Sequence, residues 1–316
     1  MYLGGLRSST ITLPDGRRLG IAEYGDPAAL PVLYCHGFPS CRLEPSMLPV
    51  SGIRLIAVDR PGYGLSDPLP GRTLLDWPQD IASVADALGL DRFAAAGVSG
   101  GAPYAAACAA RLKDRIIGLA LICGIAPPGE GVGGADGAGW EAGGAAARLM
   151  TLDRLPGTVP VIAALARRLV VGVDSPRLLR TLLRFGHLPE PDRAVLSAGF
   201  GIPVLDSFRE ALRQGIGGAV SDARIYARPW GFDPARIASP TVIWHGNMDN
   251  QVPVAAARVY ARLIPHARLC LLEGEGHFSL VVRHHHAILA SLFAIAERYA
   301  GDDVTSHARA CPGLDA

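Results

Sequence analysis

Four short apolar runs, each closed by glycine or proline, constrain this chain more than any other feature. They read PVLYCHG, IRLIAVDRPGYG, RFAAAGVSG and IIGLALICGIAPP. Continuous apolar runs of this length suit strands buried on both faces. Stretches with helical spacing lie between them. DWPQDIASVADALGL places Ile81, Val84, Ala85 and Leu88 on one face and stops at Gly89. APYAAACAARL supplies the next helix. Strands that alternate with helices imply βαβ units and a mostly parallel sheet covered on both faces. A hairpin precedes them, with STITLP and LGIAEYG alternating about a DGR turn.

After Pro127 and Pro128 the pattern changes. GEGVGGADGAGWEAGGAA is rich in glycine and alanine, and it suits a surface loop and the mobile edge of a lid equally. Helical patterns without buried strands follow: AAARLMTLDRL, VPVIAALARRLVVGV, SPRLLRTLLRFG, PDRAVLSAGF, SFREALRQGI and DARIYARP. The strand–helix pattern resumes with SPTVIWHG, PVAAARVYARLIP, ARLCLLEG and SLVVRHHHAILASLFAIAERYA. The expected organisation is an α/β core over 1–125 and 236–316, interrupted by a helical insertion over 126–235. The expected fold class is a mostly parallel, doubly wound sheet of about eight strands carrying that insertion as an α-helical cap. The polar tail GDDVTSHARACPGLDA is expected to be poorly ordered.

Composition excludes several function classes. With 316 residues, 49% hydrophobic and 19% charged, the chain can bury a large core and is not of the disordered class. Its net charge of +1 has no basic stripe for nucleic acid. The N-terminus shows no signal-peptide pattern, and no run reaches the roughly 18 apolar residues of a membrane span. The expectation is a soluble, cytoplasmic protein acting on a small molecule, with its oligomeric state open, a homodimer included. The six cysteines, Cys35, Cys41, Cys108, Cys123, Cys270 and Cys311, form no CxxC pair or Cys/His cluster, so a reduced set is expected. His284, His285 and His286 do not make a metal site, because adjacent helical side chains diverge by about 100°. No metal or organic cofactor is implied.

The chemistry centres on Gly97-Val98-Ser99-Gly100-Gly101. A buried run precedes this G-x-S-x-G and a helix follows. A sharp strand-to-helix turn would lift the Ser99 hydroxyl above the sheet edge and would demand small neighbours. The Gly100 N–H then lies at a helix N-terminus, aimed at a developing oxyanion. A serine hydroxyl needs a base, and the base an orienting acid. His277 follows the run ARLCLLEG and Asp249 follows SPTVIWHG, both at strand ends where parallel sheets build their sites. Asp206, Asp222 and Asp233 are the other carboxylates by type, but none follows a core strand. In His36-Gly37-Phe38-Pro39, proline lacks an N–H, so the Phe38 N–H is the natural second oxyanion donor. His36 is expected to order that loop. Asp59 and Arg60 are expected to pair within a structural turn, Tyr63 is placed where it can line the pocket, and Tyr104 is assigned to packing.

Taken together, HGFP, DRPGYGLSD, GVSGG, HGNMD and GEGHF resemble, in order and context, the α/β-hydrolase fold family over about residues 9–300. The resemblance implies a serine hydrolase with a Ser99–His277–Asp249 triad, an oxyanion hole at Phe38 and Gly100, and a cap over a fairly apolar pocket. The expected reaction is cleavage of an ester, thioester or related acyl bond. Acyl transfer, C–C cleavage, a biosynthetic cyclisation, or non-catalytic binding of a small molecule are the competing readings. The HGGG loop of the hormone-sensitive-lipase subgroup is absent.

Overall fold

The computed structural model describes residues 7–128, 161, 168 and 187–301. Eight strands form one sheet: β1 (Arg7–Thr12), β2 (Arg18–Gly25), β3 (Leu30–Cys35), β4 (Ile53–Val58), β5 (Phe93–Val98), β6 (Ile116–Ile122), β7 (Thr241–Gly246) and β8 (Arg268–Leu272). Their spatial order is β1-β2-β4-β3-β5-β6-β7-β8. β1 and β2 form the expected antiparallel hairpin, β2 runs antiparallel to β4, and β3 to β8 are parallel. The order reverses between β3 and β5, so the loops after these two strands diverge and leave a crevice at the carboxyl edge.

Alternating residues of each central strand feed two different cores. Ile56 and Val58 of β4, with Phe93 and Ala95 of β5, face helices α1 (Trp77–Ala87), α2 (Ala102–Arg111) and a later helix, Val254–Leu263. Leu55, Ala57, Ala94, Ala96 and Val98 face the opposite side, toward the last helix, His277–Gly301. Both faces are therefore apolar, which is why the strand sequences do not alternate. Burying a leucine or isoleucine fully contributes about 1.5–3 kcal/mol, so each face anchors its helices strongly.

Among the described residues, three further helices come from the segment read as an insertion: α3 (Glu190–Val195), α4 (Gly201–Ala211) and α5 (Gly217–Tyr226). A π-helical turn at Leu196–Phe200 joins the first two. They match PDRAVLSAGF, SFREALRQGI and DARIYARP. Ile225, Tyr226 and Trp230 pack into the core with α1 and α2. The helices after them are α6 (Val254–Leu263) and α7 (His277–Gly301). The glycine-rich stretch, the AAARLMTLDRL, VPVIAALARRLVVGV and SPRLLRTLLRFG patterns and the polar tail lie outside the described residues, apart from helical positions 161 and 168.

By length and composition, α7 from His277 to Tyr299 could cross a bilayer, although no sequence run suggested a span. Here it packs against β6 and β7 through Leu280, Ile288, Leu292 and Ala296. Cys35, Cys41, Cys108 and Cys123 are free and buried, as expected. Cys270 is disulfide-bonded, which corrects the expectation of a wholly reduced set.

Candidate active site

Ser99 sits between β5 and α2 with a backbone φ of 53°, in the left-handed region that a non-glycine residue adopts at a cost of order 1–3 kcal/mol. Close packing holds it there. A side chain at Gly97 would come within 2.5 Å of the Gly101 carbonyl oxygen, and one at Gly101 within 2.0 Å of the Cys35 carbonyl oxygen. The small residues thus let strand and helix meet around the strained turn.

His277 opens α7, and its Nδ1–H donates to Asp249 Oδ2 at 2.7 Å. Asp249 is buried in the turn after β7, where its Oδ1 accepts the Gln251 and Val252 amides at 2.8 and 2.9 Å. Burial alone would raise this carboxyl, but the neighbouring imidazole and these donors hold it below its usual value. Burial likewise pushes His277 down, and the Asp249 charge outweighs it, so the imidazole lies above 6.5. His245 Nε2, 3.5 Å from Asp249 Oδ2, donates instead to the Val252 carbonyl at 3.0 Å, and burial pushes that ring down.

The other carboxylates weighed for the acid have different roles. Asp206 pairs with Arg209 on α4, and Asp233 caps a short turn by accepting from the Ala235 amide. Asp222 is fully buried, at the centre of a cluster that the sequence did not reveal. Arg60 reaches it at 2.8 Å, Arg72 at 2.5 Å, Tyr104 at 2.6 Å and Tyr63 at 2.9 Å. Its burial is outweighed by the two guanidinium charges, which hold the carboxyl well below its usual range. Asp59 and Arg60 therefore do not pair with each other: Asp59 accepts from Arg42 at 2.8 Å. Tyr63 is buried in this cluster rather than lining the pocket, and Tyr104 is hydrogen-bonded as well as packed.

This cluster supports the loop after β3. Arg60 donates to the carbonyls of His36 and Gly37, and the Arg60 amide donates to His36 Nε2 at 3.2 Å. His36 orders the loop as expected, its Nδ1 bonded to the Gly37 carbonyl. Tyr226 places its hydroxyl 2.9 Å from the Gly100 carbonyl, directly beneath the serine turn.

Two residues at the site went unread in the sequence. Glu44 accepts the Gly37 amide at 2.8 Å and the Tyr34 hydroxyl at 2.7 Å. That engages the Gly37 N–H and leaves Phe38 as the next donor along the loop. Asp192 of α3 accepts the amides of His277, Phe278 and Ser279 at 3.0, 2.9 and 2.8 Å. It satisfies the orphan donors at the start of α7 from a distant segment. A side chain at Gly276 would come within 2.5 Å of that carboxylate, which explains the second glycine of GEGHF. The only local signal was EPD at a helix start, which is common.

Ser99 and His277 open onto the same cavity, of about 140 Å³, with Phe38 and Glu44 also in its wall. Ligand atoms of Cys123, Asp249 and His277 lie within 4.8 Å of one another. Burial pushes the Cys123 thiol well up, and Asp249 already holds the imidazole proton, so the trio suits a hydrogen-bonded pair better than a metal ligand set.

A family model of the alpha/beta hydrolase fold matches residues 31–283. The chain is 32% identical over 124 residues to a non-heme chloroperoxidase of Streptomyces lividans, a match covering 38% of this chain and 45% of that protein. It thus spans about half the length of the curated relatives it matches. A hydrolase of Pseudomonas aeruginosa PA01 superposes with a TM-score of 0.64 at 20% identity, covering 92% of this chain and 99% of that one. The enol-lactonase of Burkholderia xenovorans LB400 does so with a TM-score of 0.64 at 18% identity, covering 92% and 100%. With the family match running from β3 into α7, the chain belongs to the alpha/beta hydrolase fold family.

Proposed function

We propose that this protein is a serine hydrolase that cleaves an ester, thioester or related acyl bond of a small, fairly apolar substrate. One observation carries the reading: a serine on a strained turn and a histidine bonded to a buried carboxylate share one largely apolar cavity. In this mechanism His277 Nε2 takes the Ser99 proton as Oγ attacks the acyl carbon. Asp249 holds the Nδ1–H tautomer and stabilises the imidazolium. The Phe38 and Gly100 N–H groups receive the oxyanion. His277 then protonates the leaving group, and a water it activates releases the acid and frees Ser99. On this reading residues 1–125 and 236–316 are the catalytic core and 126–235 the cap.

The test pairs a fluorophosphonate probe with p-nitrophenyl esters of graded acyl length. The wild type should label and turn over esters. Ser99→Ala should lose labelling and about 10⁶ in kcat. A wild type that neither labels nor hydrolyses any ester would sink the assignment, as would a Ser99→Ala variant of undiminished activity.

A further inference from the structure

The wall beside Ser99 carries a carboxylate that the triad does not use. Glu44 opens a short helical turn, Glu44–Met47, beyond the loop that follows β3. A methyl group built on Gly37 would meet Glu44 Oε2 at 3.4 Å and Ser99 Cβ at 3.7 Å, so carboxylate and nucleophile border the same small space. Two uncharged donors hold its oxygens, the Gly37 amide at Oε2 and the Tyr34 hydroxyl at Oε1. Burial and the Glu44 charge push the Tyr34 phenol well up, which keeps it a donor. A carboxylate has about four acceptor positions, so these two bonds orient Glu44 without saturating it.

The cavity offers this charge no counterpart. Among the described residues no arginine or lysine lines it, and its wall is otherwise largely apolar. His285 Nδ1 donates to the Val282 carbonyl at 3.0 Å, and burial holds that ring below 6.5, so it stays neutral at neutral pH. The charge reaches the base: burial lowers the His277 imidazole, while Asp249, then Asp192 and Glu44, lift it. Glu44 is half-buried. A substrate that fills the cavity takes solvent from it. A neutral substrate strands the carboxylate, and a cationic one pairs it. The same charge opposes the oxyanion at the Phe38 and Gly100 amides, one residue along the loop from the amide that Glu44 holds. A positive group on the substrate offsets both costs. The acyl group is present at both oxyanion-forming steps, so a positive group there acts in each. The cavity, about 140 Å³, is close to the roughly 150 Å³ known to take benzene, which keeps that group within a few bonds of the carbonyl.

We infer that Glu44 selects the charge of the substrate, and that the acyl group passed to Ser99 is short and carries an ammonium group, as in a small amino acid ester. This rests on the hydrolase reading and adds one charge to its small, fairly apolar substrate.

The experiment compares isosteric methyl esters at neutral pH: methyl 3-aminopropanoate against methyl butanoate, and monomethyl succinate against methyl 4-methylpentanoate. In the wild type the ratio of kcat/KM, charged over neutral, should exceed one for the first pair and lie below one for the second. Glu44→Gln keeps an oxygen for the Gly37 amide and an amide for the Tyr34 hydroxyl, which can turn to accept, so it removes charge and little shape. It should lower the first ratio about tenfold and raise the second. Ratios cancel any loss common to all esters. Glu44→Asp, which keeps the charge on a shorter arm, should hold the first ratio above one even where every rate falls. A second readout needs no turnover: Ser99→Ala should bind 3-aminopropanamide more tightly than butanamide, and adding Glu44→Gln should abolish the difference. A wild type that favours the neutral or anionic ester, or ratios that Glu44→Gln leaves unchanged, overturns the inference. Failure of labelling and of all ester turnover would instead defeat the hydrolase reading, and the amide pair would still decide the role of Glu44.

Discussion

On one face of the sheet, Asp222 is met by two arginines and three tyrosines; on the other, His285 Nε2 has no hydrogen-bond partner among the described residues. Asp222 is fully buried, and the His285 side chain is half-buried in the wall of the cavity onto which Ser99 opens. The Asp222 cluster is saturated, and its free energy is committed to holding the loop after β3 and the turn at Gly100. Saturation marks the groups that shape the site.

The strongest way to break this contrast is to remove the centre of the saturated cluster. Asp222→Asn leaves Arg60 and Arg72 buried with their charges uncompensated. The expected loss of stability is roughly 3–5 kcal/mol, read from denaturant unfolding at constant m-value. His285→Leu, which replaces an unpaired acceptor with an apolar group, should cost less than about 1 kcal/mol or stabilise the fold. Equal costs at the two positions would erase the distinction.

A smaller effect is expected at Asp192, which is saturated but reaches the site through the backbone. Asp192→Ala leaves the first amides of α7 without their acceptor and should cost about 1–2 kcal/mol, as loss of a helix cap does. Because His277 is among those amides, kcat should fall more than KM rises. Stability loss with unchanged kcat would reduce Asp192 to a cap alone.

The fold was legible because strand and helix signals agreed: apolar runs closed by glycine at β3, β4, β5 and β6, and helical spacing between them. Ser99, Asp249 and His277 were legible for a related reason, since each follows a core strand at the carboxyl edge. Asp222, Asp192 and Glu44 were not, because none follows a strand. Asp222 meets Arg60 from 162 positions away, and Asp192 meets His277 from 85 positions away. No local pattern encodes such a meeting. The Asp59–Arg60 misreading has the same origin: adjacency in sequence suggested a pair, while the strand edge sends the two side chains to different partners.

The finest test concerns pH, because the site also holds a polar pair that is saturated yet titrates. His277 is lifted above 6.5 by Asp249 despite its burial, and the proposed base works only when neutral. kcat/KM should therefore rise with pH through a value above 6.5. The stability sign is opposite: a raised histidine contributes stability that is complete below about 6.5 and lost as pH rises through the folded-state value. Activity and this share of stability thus trade across one interval. Asp249→Asn leaves burial as the dominant influence, so the imidazole should titrate below its wild-type value. Activity should fall on the order of 10⁴, so the shift is best read by NMR titration of the ring. A wild-type limb at or below 6.5, or a titration unmoved by Asp249→Asn, would mean that the pair is no more coupled to the chemistry than the cluster at Asp222.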